Sequence, residues 1–313
     1  MKVQLGYACI SKTLDNVTSS HSYTYTNFKQ ENNFEKLDNI IKQNFNDLEK
    51  IIDYNIKNNI HFYRLSPKLI PLATHKEVDF DYINKYKNYY KKIAKKINDN
   101  NIRVDIHLEE YCVLNSTNKE VVESSITDLK YCYSLLEQFN IKTKTLILHI
   151  GGSTFGKKQG LSRFINNFKK LPEEIRKTIA IENDDKIYNI DDCLKLNELL
   201  GIKIVLDYHH HLCNHEQELT LEIIKKIFDS WYPHTPKIHF SSPKNKTKKE
   251  YRSHHEFIDV ESFINFIEYI KPLNKDLDIM IEAKAKDEAL FRLIRQLKYK
   301  TNYKFIDDTA FIV

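Results

Sequence analysis

The stretch TIAIENDDKIYNIDDCLKLNELLGIKIVLDYHHH, residues 178–211, contains one complete strand–helix–strand unit. A short apolar, β-branched run (178–183) is followed by a segment with apolar residues at three- and four-residue spacing (190–200), which opens on acidic Asp191 and is stopped by Gly201. A second β-branched run (203–208) comes directly after. Both runs end in groups that carry chemistry, Glu182 in the first and Asp207 with His210 just beyond the second.

The same unit recurs on either side. Short β-rich runs lie at 3–7, 61–66, 103–107, 145–150, 237–241 and 277–283, making eight in all. Amphipathic segments near 35–58, 80–100, 119–139, 159–170, 218–229, 259–270 and 284–298 alternate with them. Eightfold alternation in 313 residues predicts a single (β/α)8 TIM barrel over residues 1–298, with residues 299–313 as a tail packed on its outside. A doubly wound open sheet would also alternate, but it would offer a glycine-rich first turn, and LGYACISK (residues 5–12) has none.

Composition agrees with one globular domain: 41% hydrophobic and 29% charged residues, with a net charge of +5. Five cysteines without CxxC spacing predict neither a disulfide framework nor a zinc knuckle and fit a reducing compartment. No secretory start and no membrane-length apolar run is present, so the expected location is inside the cell, in the cytoplasm or a nucleus. No membrane association and no protein partner are predicted.

Barrel chemistry belongs to the C-terminal ends of the strands, and branched apolar side chains are expected to fill the interior. Six successive strands end in a metal-ligating type: His107, His149, Glu182, Asp207 with His210, His239 and Glu282. Any one of these is more often a hydrogen-bonded structural residue. Together they would crowd three carboxylates into a poorly solvated mouth at a cost of several kcal/mol each, which divalent cations would offset. Imidazole beside carboxylate suits manganese, iron or zinc better than calcium, with magnesium a further alternative. His75 in PLATHKE and His254 in RSHHEF lie on loops that leave strand ends on the same face. A cluster of two or three metals bridged by carboxylates would hydrolyse a phosphodiester without a covalent nucleophile, with Glu182 and Glu282 at its centre. Lys237, inward by the period of two, would clamp a phosphate or pair with a carboxylate. Lys244, Lys246, Lys248, Lys249 and Arg252 extend from the mouth and would track a DNA backbone. Tyr7 and Tyr111 would offer faces to an extruded base.

LGYAC, RLSPKLIPLATH, LILHIGG, IAIEND, VLDYHHH, PKIHFSS, SHHEF and MIEAK, in this order, resemble the UV damage endonuclease family over nearly the whole barrel. The resemblance implies a DNA repair enzyme that cuts damaged double-stranded DNA 5′ of ultraviolet photoproducts and abasic sites with divalent metals, typically manganese. It implies His75, His107, His149, Glu182, Asp207, His210, His239, His254 and Glu282 as ligands, a carboxyl modification on Lys237, and Tyr7 as a lesion probe. One departure stands out: where the family reads HPGQY, this chain has His107-Leu108-Glu109-Glu110-Tyr111, so Glu110 replaces the glutamine that fills the gap left by flipped bases. The competing readings are an endonuclease confined to abasic sites, a sugar isomerase on the same barrel, and a lesion binder without catalysis.

Overall fold

The computed structural model describes residues 1–31, 33–245, 247 and 250–313. Its strands are β1 (Lys2–Ala8), β2 (Phe62–Leu65), β3 (Arg103–His107), β4 (Leu146–His149), β5 (Ile179–Glu182), β6 (Lys203–Asp207), β7 (Lys237–Phe240), β8 (Leu277–Ile281), β9 (Lys304–Phe305) and β10 (Ala310–Ile312). The helices are α1 (Tyr25–Glu31), α2 (Phe34–Lys57), α3 (Tyr82–Lys85), α4 (Lys87–Asp99), α5 (Lys119–Gln138), α6 (Lys157–Phe168), α7 (Glu173–Arg176), α8 (Ile190–Leu200), α9 (Tyr208–Cys213), α10 (Leu221–Asp229), α11 (Val260–Ile270) and α12 (Lys286–Lys300). Strands β1 to β8 pair in parallel in chain order, and β1 bonds both β2 and β8, so the sheet closes into an eight-stranded barrel. The local signals act where the sequence places them: Asn189 and Asp192 form a capping box at the start of α8, and Gly201 ends it at φ 66°.

The interior differs from expectation. The branched apolar residues of the strands, such as Val104, Ile106, Leu148, Ile181, Leu206 and Ile279, belong to the large core under the helices. Their alternates point inward by the period of two. There Phe62 and Met280 pack with Ala8, and Ile147, Ala180 and Val205 pack with buried Trp231. Gly6 of LGY is required because a Cβ at that position would overlap Phe62. At the lower end the Arg103 Nη1 donates to Asp278 at 2.6 Å, and Gln4 donates to the same carboxylate at 3.2 Å. A few large or charged side chains fill the narrow barrel, while most aliphatic area is buried outside it.

The tail turns back as β9 and β10. β10 runs antiparallel along Lys2–Gln4 of β1, below the Gly6–Ala8 segment that pairs with β2. His61 lies 2.8 Å from Asp307, pinning the tail to the end of the α2–β2 connection. No helix among the described residues is long and apolar enough to cross a membrane.

Asp287, in the first turn of α12, fastens the loop after β1. Its buried carboxylate accepts from Ser11 Oγ (2.7 Å), Lys12 N (2.6 Å) and Tyr54 Oη (2.8 Å). Burial alone would raise its pKa, but the hydrogen bonds from Thr13, Ser11, Lys12 and Tyr54 prevail and lower it. A lowered carboxylate pKa contributes stability above the unfolded value, near pH 4, that is lost as the pH falls through the folded value. Asp287→Asn is therefore expected to cost about 1–3 kcal/mol at pH 7. Urea unfolding of both proteins should show that gap narrowing as the pH drops below about 4; a gap independent of pH would mean the carboxylate charge is not what holds the loop.

Candidate metal centre

The C-terminal ends of β3 to β8 converge as the sequence predicts, and Glu182 stands at the centre. Glu182 Oε2 lies 2.6 Å from His107 Nε2 and 3.7 Å from His149 Nε2; Oε1 lies 2.8 Å from His239 Nδ1 and 3.6 Å from His210 Nδ1. Glu282 Oε1 is 3.2 Å from the same His239 nitrogen. Asp207 caps α9 by accepting from His210 N at 2.8 Å, which turns the imidazole of His210 back over the strand end. The result is three groups whose ligand atoms lie within 4.8 Å of one another: His107–His149–Glu182, Asp207–His210–His254 and Glu182–His239–Glu282. Two of them share Glu182.

Loop structure brings in His254. Pro243 and His254 form an antiparallel bridge, and buried His209 lies 2.8 Å from the Tyr251 carbonyl and 3.0 Å from Ser241 Oγ, holding that loop against β7. His209 is thus a support for the loop that carries His254.

Charge in the site is set by burial and mutual contact. Burial alone would raise the pKa of Glu182, but His239, His149 and His107 hold it well below the carboxylate range. For Glu282 burial is again outweighed, here by the Arg64 guanidinium and then His239. His210, despite burial, is raised to about 9 by Asp207 and Glu182. Lys237 is pushed down to about 8 by burial, against the pull of Asp105.

Metal suits this donor set. Imidazole nitrogens alternate with carboxylate oxygens, and the buried His149 Nδ1 and Asp207 Oδ2 have no hydrogen-bond partner. Four carboxylates, Asp105, Glu182, Asp207 and Glu282, gather here, and among the described lysines and arginines those paired with them are Arg64 and Lys237, so the site is short of positive charge.

Other predicted residues fall elsewhere. His75 is in none of the three groups; its ring stacks on Tyr25 at 3.8 Å. Tyr7 is fully buried and its hydroxyl donates to Asn55 at 2.8 Å, so it offers no face to a base; it shares the outward parity of Val3 and Leu5 and meets α2. Lys237 is sealed beneath the site against Asp105 and does not reach the cleft. Glu110 and Tyr111 sit on an exposed turn, Tyr111 67% exposed. Lys244 pairs with Glu250, and Arg252 Nε lies 3.7 Å from Asp185. Lys246, Lys248 and Lys249 lie outside the described residues. The site opens into a cleft of about 680 Å³ whose wall includes Glu110, Arg252 and His254.

Arg64 and Asp105 are the residues sequence reading passed over. Each is a charged position one or two residues before a strand's end, on the inward face of its run, in FYRL and RVDIH. That parity is the signal that would have found them.

The model of the family described as UV-endonuclease UvdE matches residues 3–310. The chain belongs to that family. A UV DNA damage endonuclease of Bacillus cereus (strain B4264) is 38% identical over 304 residues, 95% of each chain. Among solved structures, that of SacUVDE superposes with a TM-score of 0.86 at 31% identity, covering 95% of this UvdE-family chain and 98% of the other. Endonuclease IV from Thermus thermophilus shares the barrel alone, with a TM-score of 0.57 at 10% identity over 81% of this chain and 94% of its own.

Proposed function

We propose that this UvdE-family endonuclease repairs DNA by a metal-dependent nick in the backbone of damaged duplex, on the 5′ side of ultraviolet photoproducts and at abasic sites. The observation that carries the metal reading is Glu182, a carboxylate 1% exposed at the cleft floor and shared by two groups of candidate ligands. His107, His149, His210, His239, His254, Asp207, Glu182 and Glu282 would hold two or three divalent ions, manganese first among them, with zinc, iron or magnesium as alternatives. Bound there, such ions supply Lewis-acid polarisation of a phosphodiester and lower the pKa of water. Glu182 and Glu282 fix the imidazoles around them, and Asp207 sets the direction of His210 through its backbone. Tyr111 extends an exposed ring from the rim, suited to stacking on unpaired bases. Arg252 and its partner Asp185 line the same opening, and Lys244, paired with Glu250, lies on the loop that carries Arg252; a phosphate would compete with these carboxylates for both cations.

The test is nicking of an end-labelled duplex bearing one thymine dimer, beside undamaged and abasic duplexes, with manganese and then with a chelator. Incision immediately 5′ of the dimer, lost on chelation and restored by metal, is expected. Incision of the abasic duplex alone would make the chain an abasic-site enzyme, and binding without incision under any metal would make it a lesion binder.

Glu110, exposed beside Tyr111, is a negative charge at a surface that meets phosphates. Glu110→Gln is expected to tighten binding to dimer-containing duplex by about two- to fivefold, more at low salt than at high. Equal or weaker binding in a gel-shift titration at two salt concentrations would place Glu110 away from the duplex.

A further inference from the structure

We propose that Arg64 is a resident counter-cation of the Glu182–His239–Glu282 group, competing there with a divalent ion and making this group the last of the three to fill. The inference rests on the metal reading above and concerns how the site loads.

Arg64 rises from β2 with its side chain 9% exposed. Nη1 donates to Glu282 Oε1 at 2.6 Å, and Nη2 lies 2.6 Å from His239 Nε2. A guanidinium has only donors, so His239 Nε2 must accept, and a neutral ring then carries its proton on Nδ1. Nδ1 is the nitrogen that faces Glu182 Oε1 at 2.8 Å and Glu282 Oε1 at 3.2 Å. A cation between those oxygens needs a lone pair on Nδ1, and Arg64 holds the ring in the tautomer that lacks it. Arg64 also occupies a Glu282 oxygen the ion would use. Among the described residues, neither of the ligand groups His107–His149–Glu182 and Asp207–His210–His254 has a lysine or arginine bonded to it.

The guanidinium has somewhere to go. Its Nε is buried without a hydrogen-bond partner, 3.7 Å from Asp105 Oδ1, itself without one. Closing that gap makes a charge-assisted bond and releases His239. Charge balance points the same way: a first divalent ion relieves the excess of carboxylates over cations, and later ions arrive against Arg64 unless it retreats.

Arg64→Met removes the cation and keeps much of its length. Metal-stripped wild type and variant are titrated calorimetrically with manganese chloride and melted with and without saturating manganese. The weakest binding step should tighten by about tenfold or more in the variant, the other steps moving by less than about threefold. The stripped variant should melt below stripped wild type, and its gain in Tm on adding manganese should be the larger. If Arg64 instead holds Glu282 and His239 in place for the ion, the same step weakens in Arg64→Met and recovers in Arg64→Lys, and the proposal is overturned. Should Arg64→Met fail to fold, wild type labelled with ¹⁵N-arginine and titrated with zinc decides: the Arg64 Nε–H resonance moves with the last equivalent if the side chain retreats, and an unmoved resonance overturns the proposal. Wild type that binds no divalent ion would sink the metal reading and this proposal with it, a result distinct from weaker binding by the variant alone.

Discussion

Glu182→Gln is expected to slow nicking of dimer-containing duplex by about a thousandfold or more, an activation loss of roughly 4 kcal/mol, with duplex affinity little changed. The size follows from the connections of this one carboxylate. Its two oxygens serve His107 and His239 at 2.6 and 2.8 Å, and the His107–His149 and His239–Glu282 groups both need it. Glutamine keeps the shape but replaces one oxygen with an amide that only donates, so whichever group meets the amide loses a ligand. The loss of charge weakens the remaining group as well, and effects of residues that act as a unit are not additive. Affinity for DNA is spared because Glu182 lies at the cleft floor, 1% exposed, far below any surface that first meets a backbone. Metal content after dialysis should fall together with the rate. A variant that retains wild-type metal content and cuts within tenfold of wild type would remove Glu182 from the centre of the site.

The same site shows how far the sequence can be read. Runs such as IAIE and KIVLD announce both a strand and the group at its end, because the period of two puts the terminal acid on the face opposite the aliphatic neighbours. Closure of the sheet then gathers those ends, so His107, His149, Glu182, Asp207, His239 and Glu282 were legible as a set. Tyr7 was misjudged through parity: it is in phase with Val3 and Leu5, not with inward Gly6, and so packs under the helices. His75 sits in a loop with no period, where stacking on Tyr25 from a distant helix decides its place. The charged barrel floor was hidden by a general expectation of apolar filling, although Arg64 and Asp105 show the same inward parity as the ligands above them.

That floor gives the second large effect. Asp105→Asn is expected to destabilise the metal-stripped protein by about 3–5 kcal/mol, and Lys237→Met by less, while the double variant recovers much of the loss. Asp105 and Lys237 are both 0% exposed and bonded to each other, and the Lys237 ammonium also lies 5.2 Å from the centre of the Phe62 ring. Taking away the carboxylate strands a positive charge in the barrel, next to the Arg64 guanidinium that Asp105 also faces at 3.7 Å. Taking away the ammonium leaves Asp105 a cationic neighbour in Arg64, which makes that single change the milder one. Burial already holds the Lys237 amine down to about 8, so losing Asp105 lets it shed its proton, which limits the cost to the range above and keeps it below that of an isolated buried ion. Urea unfolding of the four proteins in chelator gives the cycle, with metal binding removed from the comparison. A coupling of about 2 kcal/mol or more between the two substitutions is expected for a pair whose members each exist to neutralise the other, whereas effects additive to within about 0.5 kcal/mol would mean the pair is incidental to the fold. Because Arg64 touches Asp105 on one side and the Glu182–His239–Glu282 group on the other, the buried pair is also the support on which the cations of the site are arranged: Lys237 occupies one oxygen of Asp105, and the free oxygen is left for Arg64 alone.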